Sequence, residues 1–360
     1  MNGESEKTEK NELTLQMVML PILAIAAATA FLYYAGPILV PIFVAAALTY
    51  LLLPVVNLLG KLKIPHTAAV IIIMIAVLGL FVLIGILLAG QISSFAVSLP
   101  QYQEQIISAI NRWNAQVGNF LERLPGFLKP PENLPAETGK LEALGKYLLK
   151  GLASITNFVV GGVLIFFLVL FMLLDAKVFE RKFKSIFGAG HADTTEIILQ
   201  EINTQLKGFV LARFYVFLIL STVSTVGLLI MGVQYAYIWG PLTGLFNIIP
   251  YVGAIMSSIP PIIVAGIQYN SILRMVYVAL FFLVIQNIEG NYITPKLTSG
   301  FVDLNAVTVL VALMYWGWLW GIVGMLLAVP ITACIKVFCD HIEALKPLGI
   351  IMSIDRSNSK

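Results

Sequence analysis

Apolar stretches of about twenty residues recur along this chain of 360 residues, and they restrict its fold more than any other feature. A bilayer core roughly 30 Å thick is crossed by about 20 helical residues. Only 11% of the residues are charged, whereas a soluble domain carries about 25%. The chain therefore lacks the polar surface that a water-soluble globule needs. We predict an all-α, polytopic membrane protein with about eight membrane segments.

Five of these segments are placed directly by their length and apolar character. They are Leu13–Tyr34, Gly36–Leu58, Thr67–Gly90, Leu152–Leu174 and Phe209–Met231. The loops after the second and fourth segments, GKLKIPH and DAKVFERKFK, are rich in Lys and Arg, whereas the turns YYAGP and GVQYAY contain neither. Because cytoplasmic loops carry an excess of Lys and Arg, we expect both termini to be cytoplasmic.

Composition divides the chain into six regions. In order they are a cytoplasmic tail (1–12), a three-span scaffold (13–90), an extracytoplasmic amphipathic helix and linker (91–150), the fourth span with cytoplasmic interfacial helices (151–207), a transport region (208–340) and a cytoplasmic C-terminal tail (341–360). The amphipathic helix, from Ile106 to Leu124, suits either a membrane surface or an arm between subunits, and its weakly basic polar face favours the arm. The motif DTTE predicts the start of a helix that continues into the fifth span.

Two apolar segments near the C-terminus are interrupted by residues that break helices. The first, 238–267, breaks at Asn247–Gly253, and the second, 304–339, breaks at Tyr315–Gly324. In lipid each unpaired backbone N–H or C=O costs several kcal/mol, so irregular backbone persists only inside protein or beside a water-filled cavity. Secondary transporters place substrate sites at such breaks, usually as a pair in two halves of a repeat. A functional pathway is therefore favoured over two simple kinks.

The two breaks occupy corresponding positions. Each contains a glycine that is followed six or seven residues later by a proline, Gly253 by Pro260 and Gly324 by Pro330. If both segments are re-entrant hairpins, the units 208–267 and 271–339 form an inverted repeat; two kinked full spans would leave the C-terminus on the same side. We expect the second break to supply hinge residues, namely Gly317, Gly321, Gly324 and Pro330.

Polar residues cluster where the span between the two interrupted segments, Ser271–Ile288, gives way to Thr-Pro. An ionisable residue at membrane depth is a functional-site hypothesis, although a helix end could instead place Glu289 among the headgroups. Together with the first break, this cluster defines the candidate substrate and transport pathway: Asn247, Pro250, Gly253, Gln286, Asn287, Glu289, Asn291 and Pro295.

Other classes of function find little support in the sequence. The two cysteines, Cys334 and Cys339, lack the spacing of a metal site, and none of the three histidines has a second ligand nearby, so we predict free thiols and no metal. No zinc-protease pattern or nucleophile elbow is present, so we predict no catalytic residue and no enzyme. The net charge is +3, and the basic residues are scattered at membrane edges, so the sequence does not indicate binding of nucleic acid. No cofactor is expected.

Four stretches resemble the AI-2E family of bacterial transporters: FFLVLFMLLDAKVFE, GLFNIIPYVGAIMSSIPP, NIEGNYITPKLTSG and GWLWGIVGMLLAVPITACIK. The resemblance covers roughly Leu152–Lys336. One departure is DLNAV, where many members carry a His-Pro pair, so a role for that histidine would not transfer. The residues that match the family patterns are Asp175, Asn247, Pro250, Gly253, Glu289, Pro295, Gly321, Gly324 and Pro330.

The resemblance implies a transporter of the bacterial inner membrane that assembles as a homo-oligomer, a pentamer, in which a mobile part moves past a fixed scaffold. Members of the family are linked to export of the quorum-sensing signal autoinducer-2, and others to exchange of sodium for protons. Three hypotheses follow. The first is an exporter of a small polar or amphiphilic solute. The others are a sodium or lithium/proton antiporter that uses Glu289, and a non-transporting scaffold.

Overall fold

A computed structural model describes residues 2–83, 85–86, 155–187, 192–298, 300–301 and 303–354. All regular structure in these ranges is helical. Within them, five helices are long and apolar enough to cross a membrane. These findings confirm the prediction of an all-α, multi-pass membrane protein. The amphipathic helix that we predict within 91–150 lies outside the described residues.

The N-terminal half contributes three long helices. They are α1 (Asn2–Lys61), α2 (His66–Leu83) and α3 (Ile155–Phe187). Their buried faces form one apolar cluster, in which Val56 of α1 and Leu173 of α3 are almost fully buried. Helix α3 continues through the residues that we expected to form a separate interfacial helix. This bundle is the candidate scaffold.

The prediction of a turn between the first two spans is wrong, because α1 continues through Gly36 and Pro37. Its apolar part, Met19–Lys61, has 43 residues and is about 65 Å long at 1.5 Å per residue. A tertiary contact is made at this stretch of α1. The indole Nε1 of Trp320 donates a hydrogen bond to the Leu32 carbonyl at 2.9 Å, and Gly36 leaves room for that indole. The apparent turn residues are therefore a packing surface.

The first half of the transport region is a long helix followed by a helical hairpin. Helix α4 (Ala192–Ile230) confirms the predicted helix that runs into the fifth span. Hairpin 1 follows, with arms α5 (Ala236–Phe246) and α6 (Val252–Gln268). These arms have 11 and 17 residues, or about 16 and 25 Å. Each is shorter than the bilayer core of roughly 30 Å.

Side chains close the base of hairpin 1. The backbone N–H of Gln234 donates to Gln268 Oε1 at 2.8 Å, and Gln268 Nε2 donates to the Gly232 carbonyl at 2.8 Å. The first arm then packs back along α4, with Gly240 against Thr225. The first arm of hairpin 1 is therefore held to α4.

The second half repeats this order. Helix α7 (Ile272–Ile288) continues into a π-helical turn, Glu289–Ile293, and the short helix α8 (Thr294–Thr298). Next comes α9 (Ala306–His341), whose helical geometry is interrupted at Trp320 and Gly321.

The chain reverses at this interruption. Trp316 Nε1 donates to Thr332 Oγ1 at 3.2 Å, although sixteen residues of straight helix would separate the two residues by about 24 Å. Residues 306–319 and 322–341 therefore form the two arms of hairpin 2. Gly321 makes the reversal possible with a φ of 63°, which favours glycine.

Helices α4 and α7 run antiparallel. Leu228 packs in one cluster with Phe282, while Leu220 packs with Ile285 farther along α7. Because each of these helices precedes a hairpin, the two halves have the arrangement expected of an inverted repeat.

A C-terminal segment covers the start of hairpin 2. The helix α10 (Lys346–Met352) returns to Asn305, whose backbone N–H donates to the Met352 carbonyl at 2.9 Å. The side-chain amide of Asn305 donates to the Ile351 carbonyl at 2.6 Å, and its oxygen caps α9 by accepting from the Thr308 N–H at 2.8 Å. Asn305 thus fixes both the beginning of hairpin 2 and the position of α10.

Candidate functional site

The tips of both hairpins depend on a glycine in the same structural role. A Cβ on Gly253 would lie 1.9 Å from the Phe246 carbonyl oxygen, and a Cβ on Gly324 would lie 1.9 Å from the Trp316 carbonyl oxygen. Each glycine therefore lets the second arm approach the end of the first. The sequence correspondence between the two breaks reflects this shared geometry.

The tip of hairpin 1 also contains a strained turn. Tyr251 has φ 61° and ψ −56°, and the Val252 N–H donates to the Pro250 carbonyl at 2.7 Å. These values define a classic γ-turn, which is rare and strained for a residue other than glycine. Tyr251 itself is 54% exposed, whereas Ile249 is 4% exposed and packs in one cluster with residues of hairpin 2, so the residues around the turn hold it in place.

A chain of hydrogen bonds links this tip to α7. The Asn247 side-chain amide donates to the Thr243 carbonyl at 2.8 Å and to Ser257 Oγ at 3.3 Å. Gln286 of α7 donates to the same Ser257 oxygen at 3.3 Å. Within the described part of the chain, the buried Gln286 Oε1 has no hydrogen-bond donor. The linked amides therefore keep one acceptor available.

An ion pair joins α4 to the π-helical turn that follows α7. Arg213 Nη1 lies 3.9 Å from Glu289 Oε1, and the two side chains are 10% and 11% exposed. Thr294 Oγ1 donates to the same carboxylate oxygen. Arg213 Nε is buried and has no partner among the residues described. π-Helical turns are frequent at functional sites, where they change the direction of side chains.

We call Arg213, Asn247, Ser257, Gln286 and Glu289 the buried polar cluster. Gln286 and Glu289 are three residues apart, which places them on the same face of the helix. The cluster offers hydrogen-bond donors and acceptors and carries one positive and one negative side chain. Such a set can bind a small polar solute through several hydrogen bonds without requiring that the solute be charged.

The other polar residues that we predict in this stretch face away from the cluster. Asn287 and Asn291 are exposed and bond to each other, with Asn291 Nδ2 donating to Asn287 Oδ1 at 2.9 Å. Pro295 is also exposed. The predicted pathway residues therefore lie on two faces of one helix, and only Gln286 and Glu289 turn towards hairpin 1 and α4.

The predicted hinge residues all lie in hairpin 2. Gly321 forms its turn, and Gly324 gives the close approach described above. A Cβ on Gly317 would lie 2.9 Å from Met325, so this glycine also lets the arms approach. Pro330 is buried in the second arm. Gly321 therefore lies at the turn, whereas the other three residues lie where the two arms of hairpin 2 pack together.

A polar cavity of about 500 Å³ lies at the base of hairpin 2. Of the described residues, Lys336 is the only basic one that lines it, and its Nζ is 3.2 Å from Asp303 and 2.5 Å from Asp340. We call this space the hairpin-base cavity; its lining includes Glu201, Gln205, Phe301, Asp303, Lys336 and Asp340. Asp303 is therefore part of a partly buried charge network with Lys336 and Asp340.

Helix α4 connects the cavity to the buried polar cluster. Gln205 lines the cavity, and Arg213 lies eight residues later, about 12 Å along the helix. Between them, the ring of Phe301 rests on Gly208, and Phe209 is 5% exposed. An aromatic layer therefore separates the hairpin-base cavity from the cluster.

Arg213 and Lys336 were not predicted as functional residues from the sequence. Both are single cations within apolar runs, and the rule that selected Glu289, an ionisable residue at membrane depth, would also have selected them. Cys334 and Cys339 are free, as predicted.

Comparison with known proteins identifies the family of this chain. The sequence model for AI-2E family transporters matches residues 21–344. The AI-2 transport protein TqsA of Escherichia coli (strain K12) is 25% identical over 325 residues, which cover 89% of this chain and 90% of TqsA. YhhT of the same strain is 24% identical, covering 98% of this chain and 99% of YhhT. YueF of Bacillus subtilis (strain 168) is 26% identical, covering 88% and 87%. Because the family match includes both hairpins and the whole buried polar cluster, this chain belongs to the AI-2E family of transporters.

Proposed function

We propose that this protein is a secondary carrier that exports a small polar solute, with the buried polar cluster as the binding site. One observation carries the proposal. Gln286 Oε1 and Arg213 Nε are buried and have no partner among the described residues. Leaving such an atom unsatisfied costs about 1–3 kcal/mol. A hydroxyl group of a bound solute could donate to Gln286 Oε1, and a hydroxyl or carbonyl oxygen could accept from Arg213 Nε.

The charge balance of the cluster indicates the class of solute. Arg213 and Glu289 offset each other at 3.9 Å, so the site favours a neutral polar or amphiphilic molecule over a permanent ion. The relative TqsA is named as an AI-2 transport protein. We extend that function to this chain as a proposal, with autoinducer-2 as the first solute to test.

The proposed route begins at the hairpin-base cavity. C-terminal residues Ser353 and Ile354 line this cavity, so it opens on the side of the C-terminus, which we propose is the cytoplasm. A solute would then pass the aromatic layer of Phe209 and Phe301 to reach the cluster. Release on the opposite side would follow an elevator-like movement of the transport region past the N-terminal scaffold, within a homo-oligomer that we propose is a pentamer in the bacterial inner membrane.

Exchange of sodium or lithium for protons at Glu289 is the second candidate, favoured by the burial of this carboxylate. Arg213, however, places a positive charge 3.9 Å from the carboxylate, where a transported cation would bind. We therefore rank solute transport first. A scaffold without transport ranks last, because it has no use for buried polar atoms without partners.

Solute counterflow in proteoliposomes tests the proposal, and two neighbouring amides provide a matched pair of variants. Gln286 faces the cluster, whereas Asn287 is exposed. Gln286→Leu removes the hydrogen bond to Ser257 and one to the solute, each worth about 0.5–1.5 kcal/mol, so we expect roughly a tenfold loss of flux. Asn287→Leu should retain the flux of the wild-type protein.

The same liposomes distinguish the alternatives. A panel of polar solutes, including autoinducer-2, is tested with and without sodium and proton gradients. If Gln286→Leu and Asn287→Leu have equal flux, the cluster is not the binding site. If no solute exchanges but Glu289→Gln abolishes sodium-driven proton movement, the protein is an antiporter.

A further inference from the structure

A surface groove of about 450 Å³ lies where the base of hairpin 1 meets α7. Met231 and Tyr269 form its wall at the hairpin base, and Tyr277, Phe281 and Val284 line it along α7. These three residues follow each other at intervals of four and three, so they share one face of the helix. The groove is therefore an apolar channel parallel to a membrane span.

A positively charged side chain, that of Arg274, lies at one end of this channel. Arg274 lies in the first turn of α7, and its guanidinium is 4.8 Å above the ring of Tyr269. Among the residues that the structure describes, Arg274 is the only charged one that lines the groove. Across the described ranges, no carboxylate forms an ion pair with it. The groove thus joins a long apolar wall to a positioned cation that lacks an anion.

The surroundings of the groove are those of a membrane surface. Helix α7 begins a candidate span, Ile272–Thr298, and the side chains of Tyr277, Leu280 and Val284 are 50%, 51% and 53% exposed. Arg and Tyr at the start of a span are typical of the boundary between hydrocarbon and water. We therefore expect lipid to reach this groove in the membrane.

We propose that the groove binds an anionic phospholipid, with the phosphate on Arg274 and one acyl chain along Tyr277, Phe281 and Val284. A guanidinium binds phosphate oxygens through two parallel hydrogen bonds, and stacking on Tyr269 fixes its direction. A single molecule with a negative headgroup and an apolar tail matches both parts of the groove. This inference is independent of which solute the protein carries.

The bound lipid would stabilise the base of hairpin 1. Tyr269 Oη donates to the Met231 carbonyl at 3.0 Å and to the Gly232 carbonyl at 2.8 Å, which closes the hairpin at its base. Tyr269 and Met231 also line the groove. A lipid held against them therefore restrains the element that carries Asn247 and Ser257.

Thermal unfolding of the full-length protein in detergent tests this site. We expect phosphatidylglycerol to raise the unfolding midpoint of the wild-type protein by about 3–5 °C, the shift expected of a ligand at about 100 times its Kd. Phosphatidylcholine should give little shift. Arg274→Gln should lose most of the phosphatidylglycerol shift, Arg274→Lys should keep part of it, and Lys346→Gln, a cation outside the groove, should keep all of it.

A second variant tests the apolar part of the groove. Val284→Trp fills the groove without removing Arg274, so it should also reduce the shift and the bound lipid counted by native mass spectrometry. The proposal is overturned if both lipids give equal shifts, or if Arg274→Gln keeps the full shift. A midpoint that depends on protein concentration but not on lipid would assign the groove to a second copy of the chain, and would overturn it too.

Discussion

Gly253→Ala is the sharpest single test of the hairpin geometry. The new Cβ would lie 1.9 Å from the Phe246 carbonyl oxygen, 2.4 Å from its carbon and 2.9 Å from the Asn247 Cα. All three atoms belong to the backbone, so no side-chain rotation can relieve the contact. The tip would have to open by more than about 1 Å to reach ordinary van der Waals distance.

The expected cost follows from this displacement. Overpacking a well-packed site costs about 1–3 kcal/mol, and occasionally more; because only backbone can move here, we expect at least about 3 kcal/mol. Opening the tip also moves Asn247 away from Ser257, whose bond is already 3.3 Å long. A misplacement of about 1 Å can lower a rate a hundredfold, so we expect flux to fall further than stability.

Two measurements and a matched control check this prediction. Thermal unfolding in detergent measures stability, and counterflow in proteoliposomes measures transport. Gly290→Ala is the control, because a Cβ on this residue meets nothing within 4 Å. If Gly253→Ala and Gly290→Ala have the same unfolding midpoint and the same flux, Gly253 does not lie close to the Phe246 carbonyl in the membrane, and the prediction is wrong.

Two further predictions concern the buried charges. Arg213→Gln leaves Glu289 buried without a cation, so we expect the free energy of unfolding to fall by about 3–5 kcal/mol and transport to be lost. Adding Glu289→Gln should restore most of the stability but not the flux. If the single and the double variant are equally unstable, Arg213 and Glu289 are not paired. Lys336→Met leaves Asp303 and Asp340 uncompensated, so its unfolding midpoint should fall and should recover partly with Asp303→Asn. An unchanged midpoint for Lys336→Met would show that the three charges do not interact.

Local chemistry explains why the two breaks could be predicted. Pro250 and Gly253 disfavour continued helix whatever surrounds them, and Gly321 does the same in the second segment. The faces of α7 could not be predicted in this way. In a span, the sides towards lipid and towards protein are both apolar, so periodicity does not show whether Gln286 or Asn287 points inward. That difference emerges only when α7 is packed against α4 and hairpin 1.

The wrong prediction in α1 concerns residues whose partner is distant in the sequence. Gly36 and Pro37 are typical of a turn, yet the helix continues through them, and Trp320, 284 residues later, packs on Gly36 and donates to the Leu32 carbonyl. Proline does not by itself end a membrane helix. No local pattern reveals such a partner.

The same contact makes the two hairpin tips unequal. The tip of hairpin 2 is held to α1 by the Trp320 hydrogen bond and by the Trp320 ring, 5.8 Å from that of Phe43. The tip of hairpin 1 has a strained turn at Tyr251, whose side chain is exposed. Displacing the tip of hairpin 1 would release this strain, whereas displacing the tip of hairpin 2 would break its contacts with α1. On the proposed elevator-like mechanism, sliding of the transport region past the scaffold breaks the hydrogen bond between Trp320 and the Leu32 carbonyl.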